Sequence, residues 1–229
     1  MSNIPKMVSN APVAEQAIQG RFAAGEDPAK REQILDGAKS AFMRLGFDAA
    51  SMNDVTRQAG VSKGTIYVYF QNKEELFGAL VEREKGKFTE NLRDILAASE
   101  SVDDGLMRFG IAFARHTTGS DMIPAMRTVL GVVDRMPGLC KRFFAATPNN
   151  AHSVLENFIK HQVQQGALNV DDTDLAARQF IELATGTFFK HRLFGDIDCV
   201  PPQKELDRVV SGAVRVFKAA YGPKSPPIP

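Results

Sequence analysis

One segment of this chain, Ser51 to Lys73, constrains its fold more than any other stretch. Its sequence is SMNDVTRQAGVSKGTIYVYFQNK. Ser51 and Asp54 form an S-x-x-D pattern, in which each side chain satisfies a free backbone N–H of the first helical turn. Gly60 ends the short helix that begins there, because glycine readily adopts the left-handed conformation found at helix ends. Ser62 then caps a second short helix. Two short helices joined by a tight glycine turn predict a helix-turn-helix.

The second helix of this motif, predicted over Lys63–Tyr69, is too short and too polar to belong to a core. Ile66 and the following Phe70 are expected to point inward, and the other side chains outward. Gly64 is a poor helix former in the first turn, and close approach of the backbone to DNA would explain its presence. From Val55 to Lys73 the chain has three basic residues and no acidic one. The segment is therefore typical of a helix that reads DNA.

Overall composition is that of a soluble globular protein and does not itself reveal the partner. The 229 residues carry a net charge of +1, so no general excess of basic residues points to nucleic acid. Cys140 and Cys199 lie far apart and form no CxxC, so we expect neither a disulfide scaffold nor a zinc site. No apolar run reaches the roughly 20 residues that cross a bilayer, and the first residues lack the apolar core of a signal peptide. We expect a cytoplasmic protein without a membrane partner.

The histidines give no support for an enzyme. They are His116, His152, His161 and His191, and their spacings contain no HExxH or similar ligand pair on one helical face. No Ser–His–Asp order and no glycine-rich phosphate loop accompanies them. The favoured interpretation is that these histidines face solvent or make hydrogen bonds. We therefore expect no cofactor, no metal and no catalysis.

Helical periodicity extends over almost the whole chain and predicts an all-α fold without strands or internal repeats. We expect a flexible arm at 1–28, a three-helix DNA-binding domain at 29–75, a helical effector-binding and dimerisation domain at 76–221, and a proline-rich tail at 222–229. The helices predicted outside the motif are Lys30–Leu45, a linking helix from an Asn72 cap to Ile95, Val102–Thr117, Met122–Arg135, one opened by Thr147 and Pro148, one capped by Asp171 and ending at Phe194, and Gln203–Tyr221.

The N-terminal part resembles the TetR/AcrR family of bacterial regulators, and the residues that carry the resemblance are AGVSKGTIYVYFQNKEELF. The resemblance extends from about Arg31 to Val81 and includes the phrase LGFDAASMNDV. A second stretch, QQGALNVDDTDLAARQFIELATGTFFKHRLFG, is similar to the AefR-like branch of that family. Departures are small: Ser51 and Met52 stand where the family often has Thr-Ser or Thr-Thr, and Val68 lies between the two tyrosines.

The resemblance implies a homodimer that places each recognition helix in a major groove of a palindromic double-stranded DNA operator. The residues expected at DNA are Lys63, Gly64, Thr65, Tyr67 and Tyr69 of the recognition helix, Ser51, Ser62 and Lys73 at helix starts, and Arg57 on the outer face of the second helix. Backbone N–H groups and the dipole at helix starts favour a phosphate. The alternatives are that the two serines act only as caps, that Tyr67 packs in the core, and that Lys73 is solvated beside Glu74 and Glu75.

The resemblance also implies a small apolar effector bound in the C-terminal domain. The side chains expected to line its pocket are Phe109, Phe113, Met122, Met126, Leu155, Phe158 and Phe188, with His116 and Arg127 as polar anchors. Methionine and phenylalanine adapt to irregular apolar ligands. The alternative for each apolar residue is that it belongs to the core.

The last two predicted helices have apolar residues on more than one side, among them Leu183, Val214 and Phe217. One face is expected to pack on the domain. The other, with Ala184 and Gly186 allowing close approach, predicts a four-helix homodimer interface. The function expected is that of a repressor released from its operator by ligand. The alternatives are a ligand-independent DNA-binding protein, and a helical enzyme or carrier with an idle helix-turn-helix.

Overall fold

The structure is a computed structural model that describes residues 23, 25–135, 137–138 and 150–223. Over these residues the chain is helical and contains no β-strand, so the predicted all-α fold is confirmed. The helices are α1 (Pro28–Leu45), α2 (Met52–Ala59), α3 (Lys63–Tyr69), α4 (Lys73–Ala97), α5 (Val102–Thr117), α6 (Met122–Val132), α7 (Ala151–Gln164), α8 (Thr173–Phe194) and α9 (Gln203–Tyr221).

Most helix boundaries agree with the sequence prediction to within two residues; α1, for example, begins at Pro28 instead of the predicted Lys30. The predicted bounds of α3, α5 and α9 are confirmed, as are the caps of α2, α3 and α4. Two predictions were wrong: α6 ends at Val132 instead of Arg135, and the N-cap of α8 is Asp172 instead of Asp171. Helix α7 begins after an Asn150 cap. The predicted start at Thr147 and Pro148, most of the arm and most of the tail lie outside the described residues.

The N-terminal core is formed by α1, α2, α3 and the first turns of α4. Its buried residues include Ile34, Leu35, Phe42, Val55, Ile66, Phe70, Leu76, Phe77 and Leu80. The packing therefore continues past residue 75, where we placed the domain boundary. Val129 and Val132 of α6 are buried in the same cluster, so α6 contacts the N-terminal domain directly.

A glycine lets α1 and α2 approach closely. A Cβ added at Gly37 would lie 2.5 Å from the Cβ of Ala59, a distance that real Cβ atoms do not reach. The side chain of Gln33 reinforces the same contact by donating a hydrogen bond of 2.7 Å to the Ala59 carbonyl. The angle between the first two helices, and hence the position of α3, depends on this contact.

The C-terminal core is built from the end of α4 together with α5, α7, α8 and α9. Phe180 of α8 and Phe217 of α9 meet edge to face, with ring centroids 5.6 Å apart. Gly110 of α5 faces them closely, since a Cβ there would lie 2.6 Å from Val210. Among the described residues, no helix combines the length and apolarity required to cross a bilayer.

Candidate nucleic-acid interface

A reciprocal cap fixes the start of α2. The hydroxyl of Ser51 accepts from the Asp54 N–H at 3.2 Å, and the Asp54 carboxylate accepts from the Ser51 N–H at 3.0 Å. Hydrogen bonds from the side chain and backbone of Ser51 lower the pKa of Asp54, so this carboxylate is ionised at neutral pH. Arg57 donates to it from the next turn. The predicted capping pattern is confirmed.

The turn between α2 and α3 requires glycine at position 60. Gly60 has φ +62° and ψ +36°, in the left-handed region that other residues adopt only with strain. Ser62 then caps α3, because its hydroxyl accepts from the Thr65 N–H at 3.0 Å. The Ser62 and Thr65 hydroxyls also lie 2.7 Å apart in a hydrogen bond. The left-handed glycine and the Ser62 cap thus set where α2 ends and where α3 begins.

Helix α3 has one buried face and one exposed face. Ile66 and Phe70 are buried in the N-terminal core, as predicted. Tyr67 is 44% exposed and Val68 is 52% exposed, so the alternative that Tyr67 packs in the core is wrong. The outer face of this short helix therefore presents an aromatic and a β-branched side chain, each about half exposed. Sequence reasoning noted Val68 only as a departure from the family pattern and missed its exposure.

Among the described residues, no contact requires glycine at position 64. It is exposed in the first turn of α3, and a Cβ added there would approach only the Ser62 hydroxyl, at an ordinary 3.8 Å. Its φ is not in the left-handed region either. Within the described part of the chain, alanine would therefore fit at this position and would favour the helix.

The other residues predicted to contact DNA differ in their exposure and in their hydrogen bonds. Lys63 is exposed, whereas Thr65 and Tyr69 are half-buried and Tyr69 packs against the core. Lys73 is held by its own chain: its ammonium donates to the carbonyls of Phe47 at 2.7 Å and Asp48 at 3.1 Å. The interpretation of Lys73 as a merely solvated lysine is therefore wrong, and any contact with phosphate would share the ammonium with these carbonyls.

The apolar residues predicted to line an effector pocket are divided among different parts of the fold. Phe109 and Leu155 are buried in the C-terminal core, and Phe113 and Phe158 pack against the same cluster. Phe188 belongs instead to a small cluster with Ala114 and Leu206. Of α6, Met126 is buried and Met122 half-buried. Phe188 also lines an open cleft of about 340 Å³ between the end of α8 and the start of α9.

The two predicted polar anchors have different surroundings. His116 stacks on Phe88 of α4 with ring centroids 3.5 Å apart, and burial lowers the pKa of this histidine. Arg127 is exposed and donates to the carbonyls of Leu193 and Arg192 at 3.0 Å each, so it caps the end of α8. Only His116 combines partial burial with aromatic neighbours.

An apolar stripe remains exposed on α8 and α9. On α8 it comprises Leu175 and Leu183, and on α9 Val216, which is 55% exposed. Gly186 and Gly212 have no backbone within reach of an added Cβ and leave room for a second helix. In contrast, Ala184, Val214 and Phe217 are buried within the chain and are not available to a partner. A Cβ added at Gly110 would lie 3.5 Å from the Cβ of Ala184, so the close approach that we predicted for Ala184 occurs inside the subunit.

The chain matches two family models. Residues 34–80 match the tetR family of bacterial regulatory proteins, and residues 104–223 match the C-terminal domain of AefR-like transcriptional repressors. The second match alone spans more than half of the chain. Both agree with the resemblance that the sequence motifs carry.

Curated relatives include the fatty acid metabolism regulator protein of Bacillus subtilis, 35% identical over 77 residues, which are 34% of this chain and 40% of that protein. The HTH-type transcriptional regulator UidR of Escherichia coli K12 is 24% identical over 162 residues, 68% of this chain and 78% of its own length. The chain spans between 26% and 50% of the length of the first four curated relatives that it matches.

Solved structures share the whole fold. A TetR-family transcriptional regulator from Mesorhizobium loti superposes with a TM-score of 0.77 at 23% identity, covering 85% of this chain and 97% of the other. The flavonoid-responsive regulator FrrA superposes with a TM-score of 0.69 at 24% identity, covering 87% and 100%. The helix-turn-helix of α2 and α3, the two family matches and this shared architecture show that the chain belongs to the TetR family of bacterial transcription regulators, with a C-terminal domain of the AefR-like type.

Proposed function

We propose that this protein is a DNA-binding transcription repressor whose α3 helix enters the major groove of its operator. The observation that carries the proposal is the exposed face of α3, where Gly64 and Tyr67 lie above a base formed by buried Ile66 and Phe70. Because Gly64 has no Cβ, the backbone at the start of α3 can approach the sugar-phosphate chain of DNA closely. Tyrosine supplies both an aromatic edge and a hydroxyl for phosphate or sugar. The capped starts of α2 and α3 provide backbone N–H groups for phosphate.

The net charge of +1 is compatible with this interface because DNA binding can depend on where the basic side chains lie and not only on how many there are. The described residues exposed along α2 and α3 include Arg57 and Lys63, while Asp54 is neutralised by Arg57 at 2.5 Å. Few phosphate contacts per subunit imply a modest salt dependence. A dimer would double them and add the geometry of two half-sites.

The stripe of Leu175, Leu183 and Val216 supports a homodimer formed through α8 and α9. Two recognition helices would then read half-sites whose centres lie about 34–36 Å apart, one turn of DNA. In this arrangement a small apolar effector in the C-terminal domain acts by favouring a different spacing of the two helices. Val129 and Val132 of α6, buried in the N-terminal core, supply a contact through which that change reaches α1 and α4.

Tyr67→Ala tests the assignment of α3. We expect operator affinity to fall by about 1–3 kcal/mol, as for other specific contacts to DNA, while the melting temperature stays the same because Tyr67 is exposed. Met43→Ala is a matched control: Met43 is 41% exposed in the same domain but on α1. The operator is first identified by genome-wide footprinting of the wild-type protein. Equal operator affinity for Tyr67→Ala and Met43→Ala would refute the proposal.

A further inference from the structure

Three metal-ligating side chains meet where α7 packs on the start of α8. His152 and Glu156 lie one turn apart on α7, and Asp174 lies in the first turn of α8. One ligand atom from each lies within 4.8 Å of the other two, and His152 Nε2 is 3.2 Å from Asp174 Oδ1. Ligand atoms about 2.0–2.2 Å from a tetrahedral zinc ion are separated by a little over 3 Å, so the histidine–aspartate pair already has the required spacing.

A hydrogen bond from the start of α8 also orients one of the donors. The hydroxyl of Thr173 donates to Glu156 at 3.1 Å and so orients this carboxylate from outside the ligand set.

We propose that His152, Glu156 and Asp174 form a binding site for a divalent transition-metal ion that fastens α7 to the start of α8. One imidazole and two carboxylates suit Zn²⁺, Co²⁺ or Mn²⁺, with water completing the coordination. Sequence reasoning found no ligand pair because it searched for two histidines on one helix, whereas this site combines a histidine with carboxylates from two helices. The site lies outside the α2–α3 motif, so it does not depend on the proposed DNA interface.

Two side chains compete with a metal for the carboxylates. Lys160 lies 2.7 Å from Glu156, and Arg178 lies 2.8 Å from Asp174. Both cations sit on long side chains at least half exposed to solvent, so they can turn outward without disturbing the helices. Exposed ion pairs of this kind are weak because solvent screens them, so a metal held by three protein ligands can displace them.

This competition makes the test specific. The untagged full-length protein is stripped with chelator, and binding of ZnCl₂ is measured by calorimetry and by the shift in melting temperature. We expect wild type to bind Zn²⁺ and to melt at a higher temperature with it. His152→Gln, which keeps a hydrogen-bond donor towards Asp174, should lose about tenfold or more in affinity. Lys160→Ala and Arg178→Ala should bind Zn²⁺ more tightly than wild type, because each removes a competing cation.

The controls locate the metal. His161→Ala removes an exposed histidine of the same helix, and Cys199→Ser removes an exposed thiol, and both should bind Zn²⁺ like wild type. Co²⁺ should give visible absorption bands that His152→Gln lacks. The proposal is overturned if wild type, Lys160→Ala and Arg178→Ala all fail to bind Zn²⁺, Co²⁺ and Mn²⁺. It is also overturned if His152→Gln binds as tightly as wild type.

Discussion

Lys39 of α1 and Glu84 of α4 form an ion pair, with 2.7 Å between Nζ and Oε2, at the junction of the two helical domains. Asp121, which precedes α6, lies 3.3 Å from the same ammonium. Arg83 donates to Glu84 from the other side and to Asp36 of α1. One carboxylate of α4 is thus held by cations from two helices, and the relative position of α1, α4 and α6 depends on its charge.

Acid should weaken this junction. Burial alone would raise the pKa of Glu84, but the hydrogen bonds from Lys39 and Arg83 outweigh it and hold the pKa below the ordinary value of 4.5. The unfolded chain therefore takes up this proton at a higher pH than the folded one. The stabilisation is complete above pH 4.5 and is lost as the pH falls through the lower folded pKa. We expect Glu84→Gln to lower the melting temperature at pH 7 and to lose this effect in acid.

A surface carboxylate of the same helix is the control for this experiment. Glu90 pairs with Arg93 at 3.1 Å but is 72% exposed, so Glu90→Gln should change the melting temperature little at any pH. Thermal denaturation of both variants and wild type between neutral pH and acid gives the comparison. If Glu84→Gln lowers the melting temperature by the same amount at every pH, the charge of Glu84 does not stabilise the junction.

Substitution of two glycines, Gly64 and Gly86, distinguishes an effect on DNA binding from an effect on folding. Gly64 of α3 and Gly86 of α4 both lie in helices where an added Cβ meets no close atom. Alanine favours helices over glycine by up to about 1 kcal/mol, so Gly64→Ala and Gly86→Ala should both maintain or raise the melting temperature. Only Gly64→Ala should weaken operator binding, because in the proposed interface its methyl group would face the DNA. Titration of each variant with operator measures the difference, and equal affinities would mean that Gly64 is not a contact.

Gly37 should show the opposite behaviour. Its added Cβ would lie 2.5 Å from the Cβ of Ala59 and 2.6 Å from backbone atoms of the same residue, so α1 and α2 would have to separate. Overpacking of this kind costs about 1–3 kcal/mol. We expect Gly37→Ala to unfold at a lower denaturant concentration than wild type, with Gly86→Ala as the matched substitution. Unchanged stability would show that the two helices can move apart freely.

Local chemistry explains how much of the site could be predicted. The start of α3 follows from a cap between Ser62 and Thr65, three positions apart, and the inward positions of Ile66 and Phe70 follow from helical periodicity. The predicted cap of α8 was wrong by one residue because two adjacent aspartates, Asp171 and Asp172, are equally suitable by type; in the structure Asp172 accepts from the Leu175 N–H at 2.9 Å.

Properties that depend on two distant helices could not be predicted in this way. Periodicity marks both Val216 and Phe217 as apolar, but only packing against Phe180 determines that Phe217 is 1% exposed. In the same way, no local signal brings Asp174 to His152. Sequence reasoning therefore found the helix-turn-helix, whose signals are local, but placed buried residues such as Ala184 and Phe217 on the surface expected to form the dimer.

Exposed residues of α8 and α9 test the proposed dimer surface. Phe217→Glu would place a charge in the subunit core and disrupt folding, so loss of the dimer in that variant would be ambiguous. Leu183→Glu and Val216→Glu alter exposed residues instead, and we expect both to remain folded as monomers in light scattering. Met43→Glu, an exposed apolar residue of α1, should remain dimeric. If all three variants have the mass of the wild type, the interface lies elsewhere; a monomeric wild type at micromolar concentration would refute the homodimer itself.

The last prediction concerns the effector and uses His116. Burial lowers the pKa of this histidine, so the ring is neutral at pH 7 while it stacks on Phe88. His116→Phe keeps an aromatic ring on Phe88 and removes only the polar atoms. An apolar compound with one polar group should raise the melting temperature of wild type by mass action and bind the variant about 1–3 kcal/mol more weakly. A compound with no polar group should bind both proteins equally.

The same compound tests whether binding of the effector and binding of the operator are coupled. It should weaken operator binding, and operator should weaken its own binding by the same factor, because the coupling free energy is shared. Screening by melting shift followed by operator titration with and without the hit measures both effects. A compound that stabilises the protein and leaves operator affinity unchanged would favour a ligand-independent DNA-binding protein. A compound that binds wild type and His116→Phe equally, whatever its polar groups, would remove His116 from the pocket, because a buried polar contact cannot be lost without a change in affinity.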